Sequence, residues 1–234
     1  RAPTFRHKQY DGYKAQRKGM PPELASQLQP LKEILVSLGY RLLQAEGWEA
    51  DDILGTLARA AREQDGECVI ATGDRDSLQL VGSGVSVRLA ATRQGRPEVR
   101  LYDEGKIREE YGVAPLQLID IKALQGDTSD NIPGVAGIGP KTASALIQTF
   151  GSLDGVYEHL DSPDIKAGVR AKLTAGRDAA YLSRSLGEIH TDAPVETALD
   201  QFIPAPAPGS ETARLLARYE LFSLIDRMHL DAPA

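Results

Sequence analysis

The chain is poor in the residues that carry most soft-metal and redox chemistry: one cysteine, four histidines and two methionines in 234 residues. A lone Cys68 excludes an internal disulfide. Its place in the apolar run Cys68-Val69-Ile70-Ala71 suits a small buried residue of a reducing cytoplasm. His7, His159, His190 and His229 stand singly, without the spacing of zinc ligands or of a catalytic pair, and read as structural. No apolar run approaches the roughly 20 residues that a membrane-spanning helix needs. No secretory leader is legible in the opening Arg1-Ala2-Pro3-Thr4-Phe5-Arg6, which lacks Met and reads as the interior of a longer product. No segment repeats at a fixed period. With 41% hydrophobic and 26% charged residues, the chain reads as a folded globular protein with one substantial core and a smaller second one.

What is abundant is acid, and its placement matters more than the net charge of −6. Seven carboxylates fall in three tight groups: Glu49, Asp51 and Asp52; Asp74 and Asp76; Asp127 and Asp130. Each group abuts an apolar run, where a buried carboxylate is costly unless something compensates it. Taken singly, each has a plain explanation. Acids favour the first turn of a helix, and Asp residues favour turns and N-caps. Taken together in one fold, they need bound cations. Hard oxygen donors without His or Cys favour Mg²⁺ or Mn²⁺ over zinc. Two or more such ions, about 3.5–4 Å apart, are the usual device for cutting phosphodiesters.

Two further strings point to nucleic acid. Gly134-Val135-Ala136-Gly137-Ile138-Gly139-Pro140-Lys141-Thr142-Ala143 makes a tight glycine hairpin leading into a helix. Its backbone N–H groups and helix start suit a phosphate, with Lys141 adding a charge and Thr142 a hydroxyl. A plain helix-turn-helix in a core is the alternative. Residues 1–20 carry Arg1, Arg6, Lys8, Lys14, Arg17 and Lys18 against the single acid Asp11, interleaved with Phe5, Tyr10 and Tyr13. That composition suits phosphate contacts and base stacking on frayed single strands. A solvated basic surface is the alternative.

The element pattern is mixed. Helices are expected at 22–38, with Leu24, Leu28, Leu31, Ile34, Leu35 and Leu38 near helical spacing, and at 50–64. Strands are expected at 41–44 and 67–72, then a helical turn at 77–80. A hairpin of 85–89 and 98–102 follows, turning at Arg93-Gln94-Gly95-Arg96. Such alternation predicts an α/β sheet with its site at the carboxyl ends of the strands. Beyond about Gly112 the pattern is all-helical, with helices near 115–124, 140–149, 152–160, 166–175, 177–188 and 211–226. Pro204-Ala205-Pro206-Ala207-Pro208-Gly209 is a linker by composition. The expected divisions are therefore 1–113, 114–204 and 205–234.

These strings together resemble the 5′ nuclease family, in particular the 5′→3′ exonuclease domains that open bacterial DNA polymerase I. The strings that carry the likeness are Phe5-Arg6-His7 with Tyr13-Lys14, Trp48-Glu49-Ala50-Asp51-Asp52, Gly73-Asp74-Arg75-Asp76, Gly126-Asp127-Thr128-Ser129-Asp130-Asn131-Ile132-Pro133-Gly134-Val135, and the hairpin through Ala143. The resemblance implies a resolvase-like, PIN-like α/β core with a helical arch, followed by a helix-three-turn-helix (SAM-like) DNA-binding region. It makes Glu49, Asp51, Asp52, Asp74, Asp76, Asp127 and Asp130 metal-site acids, and Lys14 and Arg17 the catalytic, positively charged arch residues that hold the scissile phosphate. Arg6, Tyr13, Gly134, Gly137, Gly139, Lys141 and Thr142 become DNA contacts, with Tyr13 stacking on a displaced base and K⁺ bound at the Gly137–Lys141 hairpin. The implied substrate is 5′-flap, nicked or gapped duplex DNA, cut near a single-strand/duplex junction. The implied setting is a monomer joined to polymerase domains in the bacterial cytoplasm, at the nucleoid and off the membrane. Such domains also carry metal-binding Asp residues on two strands that would precede Arg1. A DNA-structure-binding fragment without full catalysis, or a related nuclease acting on RNA, are therefore the alternative readings.

Overall fold

A computed structural model describes residues 3–93, 95–203 and 209–230, which form two compact units: residues 3–17 with 45–195, and 18–44 with 196–230. In the first unit, α1 (Phe5–Gln9) and α3 (Ala50–Glu63) precede a small sheet; α2 (Pro22–Ser37) belongs to the second. Strand β1 (Cys68–Thr72) runs parallel to β2 (Val85–Arg93), with Ile70 opposite Val87 and Thr72 opposite Leu89. Strand β3 (Arg96–Tyr102) returns antiparallel, with Val87 opposite Tyr102. The alternation of β2 sets its faces: Val85, Val87 and Leu89 are buried while Arg88 is exposed. They pack with Ala58 of α3, Ile70, Leu78 and Tyr102 into one core. The hairpin is longer than expected, and Gln94 lies outside the described residues.

Helix α4 (Glu104–Tyr111) follows β3, between an Asp103 cap that accepts the Lys106 N–H at 2.7 Å and a left-handed Gly112. The helical layer then comprises α5 (Gln117–Gln125), α6 (Pro140–Phe150), α7 (Leu153–Glu158), α8 (Ala167–Ala175) and α9 (Arg177–Gly187). Its core joins Leu124, Val135, Ile138, Ile147, Val156 and Leu173. A third small cluster of Tyr13, Ile132 and Leu186 ties the amino-terminal arm to the 127–132 loop and α9.

The second unit packs α2 against α10 (Gly209–Arg218) and α11 (Phe222–Arg227) through Ile34, Ala213, Leu216 and Ile225. The expected single helix over 211–226 is broken: Glu220 is left-handed, and Leu221 N–H bonds back to the Leu216 carbonyl at 2.9 Å, ending α10. Of the α2 leucines, Leu24, Leu28 and Leu31 are exposed, and Ile34 alone in the helix is buried. The strand expected at 41–44 does not form; the segment is irregular. Of the Pro204–Gly209 linker, residues 204–208 lie outside the described residues. Among the described residues, no helix is long and apolar enough to cross a membrane.

Candidate active site

The amino end of α3 carries the first acidic group. Glu49 is its N-cap residue, and Asp52 accepts the Glu49 backbone N–H at 3.0 Å. Asp52 then turns inward. It is fully buried, takes Arg6 Nη1 and Nη2 at 2.8 Å each, and accepts the His190 N–H at 3.0 Å. The same guanidinium reaches the carbonyls of Leu186 (3.0 Å) and Glu188 (2.5 Å). Burial alone would raise the Asp52 carboxyl, but the two bonds from Arg6 outweigh it and hold the group below the ordinary carboxylate value. Sequence grouping put Asp52 with the metal acids and Arg6 with the DNA contacts. The structure engages each with the other, out of solvent, because a buried carboxylate at this helix start needs a paired cation.

Asp51 is only partly buried and lies beside Ser77, whose hydroxyl donates to Oδ1 at 3.2 Å. Burial, then the charge of Asp74, pushes it up to about 6. Asp74 and Asp76 follow the carboxyl end of β1. Asp74 Oδ1 accepts the Asp76 N–H at 3.0 Å and so starts the short 3-10 turn Arg75–Leu80. Burial raises Asp76 as well, against the pull of Lys122.

The third group sits in a loop closed by reciprocal backbone bonds between Asp127 and Ile132, at 2.9 and 2.8 Å. Asp127 Oδ1 also accepts the Ser129 N–H and hydroxyl at 2.8 and 2.7 Å. One oxygen from each of Asp76, Asp127 and Asp130 lies within 4.8 Å of the others. A narrow cleft is lined by Lys14, Glu49, Asp51, Asp74, Asp76 and Asp130, so all three groups meet there. A wider cleft, about 680 Å³, lies elsewhere, beside Arg59, Arg62 and Arg108, and holds none of these acids.

Three basic side chains thread the acids. Lys14 Nζ contacts Glu49 at 2.7 Å and Asp130 at 3.6 Å. Its backbone is left-handed (φ 53°) and fixed by its N–H on the Asp130 carbonyl at 2.9 Å. Arg17 bonds Asp130 and the Ser129 carbonyl. The third, Lys122 on α5, was not singled out in the sequence: its ammonium bridges Asp76 (2.5 Å) and Asp127 (2.7 Å). Burial would raise Asp127, but the Lys122 and Ser129 bonds outweigh it and set it at about 2. Among the described residues, Asp51 and Asp74 form no ion pair. An all-oxygen donor set with two uncompensated carboxylates fits a hard divalent ion.

The nucleic-acid candidates divide in the same way. Tyr13 is 3% exposed, donates its hydroxyl to Glu49 at 3.1 Å and meets His7 edge-on at 5.3 Å. Its ring is not presented for stacking on a base. Gly134 is buried, with its N–H on the Ser183 hydroxyl at 2.8 Å. It is left-handed (φ 61°), and a Cβ there would stand 2.3 Å from the Gly126 nitrogen. This glycine closes the loop against α5 and offers no N–H outward. Gly137, Gly139 and Lys141 are exposed, and Thr142 is half-buried in the first turn of α6.

Comparisons with known proteins give the chain its relatives. The family model described as the 5′-3′ exonuclease N-terminal resolvase-like domain matches residues 1–112, and that of the 5′-3′ exonuclease C-terminal SAM fold matches 113–209. The chain is 42% identical over 231 residues to a thermostable DNA polymerase I of Thermus thermophilus, covering 98% of this chain and 26% of that protein. It is 40% identical over 196 residues to DNA polymerase I of Bacillus subtilis, covering 84% of this chain and 22% of that protein. The chain thus spans about a quarter of the length of these relatives. Among solved structures it is similar to the T5 5′-exonuclease with bound divalent metal ions (zinc), with TM-score 0.64, 26% identity, and 81% and 71% of the two chains covered. The catalytic core of Rad2 in complex with DNA substrate shares the fold, with TM-score 0.61, 16% identity, and 96% and 74% coverage.

Proposed function

The chain belongs to the 5′-3′ exonuclease family, with a resolvase-like domain followed by a SAM fold, and we propose that it hydrolyses DNA phosphodiesters at single-strand/duplex junctions using Mg²⁺ or Mn²⁺. The observation that carries this reading is the convergence of acids from α3, the end of β1 and the 127–130 loop on one cleft, with two of them unpaired. Glu49, Asp51, Asp74, Asp76, Asp127 and Asp130 are the residues that would hold the ions. When bound, divalent ions supply Lewis-acid stabilisation of phosphoryl oxygens and an activated water.

The chain's own residues do the rest. Lys14, which lines the acidic cleft, and Arg17, paired with Asp130 of that cleft, neutralise the charge of a phosphate brought to the ions. Lys122 orients Asp76 and Asp127 as ligands. Arg6 and Asp52 act from behind: they fix the start of α3, and with it the positions of Glu49 and Asp51. The exposed hairpin Gly137–Lys141 grips the backbone of the duplex without reading its sequence. The relatives named as DNA polymerase I support a setting in which polymerase domains share the chain and the substrate is a flap, nick or gap.

The test separates chemistry from grip. Asp74→Asn abolishes cutting of a 5′-flap oligonucleotide in Mg²⁺ and leaves binding in Ca²⁺ measurable. Lys141→Ala weakens binding and reduces its salt dependence by about one phosphate contact. Cutting near the wild-type rate by Asp74→Asn contradicts the assignment.

A further inference from the structure

The family resemblance calls for a monovalent cation at the Gly137–Lys141 hairpin, where backbone carbonyls would hold it. The residues present do not fit one. The Gly137 carbonyl already accepts a hydrogen bond from the Lys172 ammonium at 3.0 Å. The stem of the same lysine lies against the left-handed Gly137 (φ 78°). A Cβ at Gly137 would meet Lys172 Cε and Nζ at 3.0 Å, a tight contact that the end of the lysine would have to relieve, and the left-handed backbone itself favours glycine. Lys172 reaches the hairpin from α8, whose register is fixed by its fully buried neighbour Leu173 and by the Gly176 N–H on the Lys172 carbonyl at 2.9 Å. A second cation on that carbonyl would face an ammonium already seated there, and like charges at such range repel.

We infer that Lys172 is a tethered cation that takes the place of a monovalent ion at the hairpin, and that it makes the grip on duplex DNA independent of K⁺. This rests on the duplex-binding reading of the hairpin. The ammonium polarises the carbonyl side of the turn, keeps it rigid, and adds a second basic group from α8 to the one Lys141 contributes from α6. A phosphate seated on the hairpin then meets two positive charges from separate helices, the one on Lys172 held in place, and no ion has to be taken from solution.

The experiment measures binding of a fluorescent 5′-flap duplex in Ca²⁺, with KCl or tetramethylammonium chloride at equal concentration. Wild type, Lys172→Met and Lys141→Ala are compared, and thermal unfolding of each serves as a check on folding. Lys172 is exposed, so Lys172→Met unfolds at the wild-type temperature. The inference predicts the same wild-type Kd in both salts. It predicts that Lys172→Met loses affinity about fivefold in tetramethylammonium chloride and recovers part of it in KCl. Wild-type binding that tightens several-fold in K⁺ overturns the inference, and so does a Lys172→Met variant that binds like wild type while Lys141→Ala is weakened. If neither lysine variant changes binding, or if wild type does not bind, the hairpin reading itself fails and takes the inference with it.

Discussion

Arg6 and Asp52, 46 positions apart, meet in a buried two-pronged ion pair at 2.8 Å, and Arg6 also lines the acidic cleft. Asp52 also holds the Glu49 and His190 N–H groups, and Arg6 the Leu186 and Glu188 carbonyls, so one pair joins α1, the start of α3 and the end of α9. Arg6→Ala leaves a carboxylate buried without its partner and destabilises the fold by about 3–5 kcal/mol. Denaturant unfolding at neutral pH measures this; a loss under about 1 kcal/mol would mean the pair is dispensable.

The same pair predicts a pH signature. Asp52 titrates below its ordinary value in the folded chain. Its contribution is therefore present above the unfolded value of about 3.9 and is lost as pH falls through the lower folded value. Acid unfolding of wild type is steep in that range, and Asp52→Asn, already weakened at pH 7, flattens it. Parallel acid-unfolding curves for the two proteins would contradict the ion-pair account.

Asp51 carries the opposite sign. Its folded value is raised to about 6, so the ionised carboxylate opposes folding fully above pH 6, and that opposition fades as pH falls from there to the unfolded value of about 3.9. In the absence of divalent ions, Asp51→Asn stabilises the chain at pH 8 on the order of 2 kcal/mol and has little effect near pH 4. Mg²⁺ stabilises wild type and does so less for the variant, because one of its ligands is gone. Equal thermal shifts with Mg²⁺ in the two proteins would remove Asp51 from the metal site.

The acidic groups were legible because each stands at the edge of an apolar run, and burial of grouped carboxylates demands compensation. Which acid takes which role was not legible. Asp51 and Asp52 are adjacent, yet a helix turns their side chains to different surroundings, one beside Ser77 and the other onto Arg6. Lys122 in Ile121-Lys122-Ala123 reads as an ordinary polar residue on a helix, and only the packing of α5 beside the 127–130 loop gives it two carboxylates. Helix α4 was missed although Asp103 and Gly112 mark both its ends; its weak apolar pattern hid it. The start of α6 was plain, since Pro140 at its first position marks it in the sequence.

Lys122 gives a fourth prediction. Lys122→Met leaves Asp76 and Asp127 facing each other without the ammonium between them, and the metal-free chain loses about 2–3 kcal/mol. Asp127 no longer stays near 2 and moves up toward the ordinary range. Mn²⁺ restores part of the lost stability by supplying the missing positive charge. Full stability of Lys122→Met without metal would show that the bridge contributes nothing.

The central claim is that one cleft, built from three acidic groups, cuts DNA with divalent ions. It is tested most directly by incubating this chain with a 5′-flap oligonucleotide and resolving the products, in Mg²⁺ and in excess chelator. The account predicts a product that ends at the single-strand/duplex junction in Mg²⁺ and intact DNA in chelator. DNA that binds but stays intact in Mg²⁺, or that is cut equally well in chelator, contradicts it.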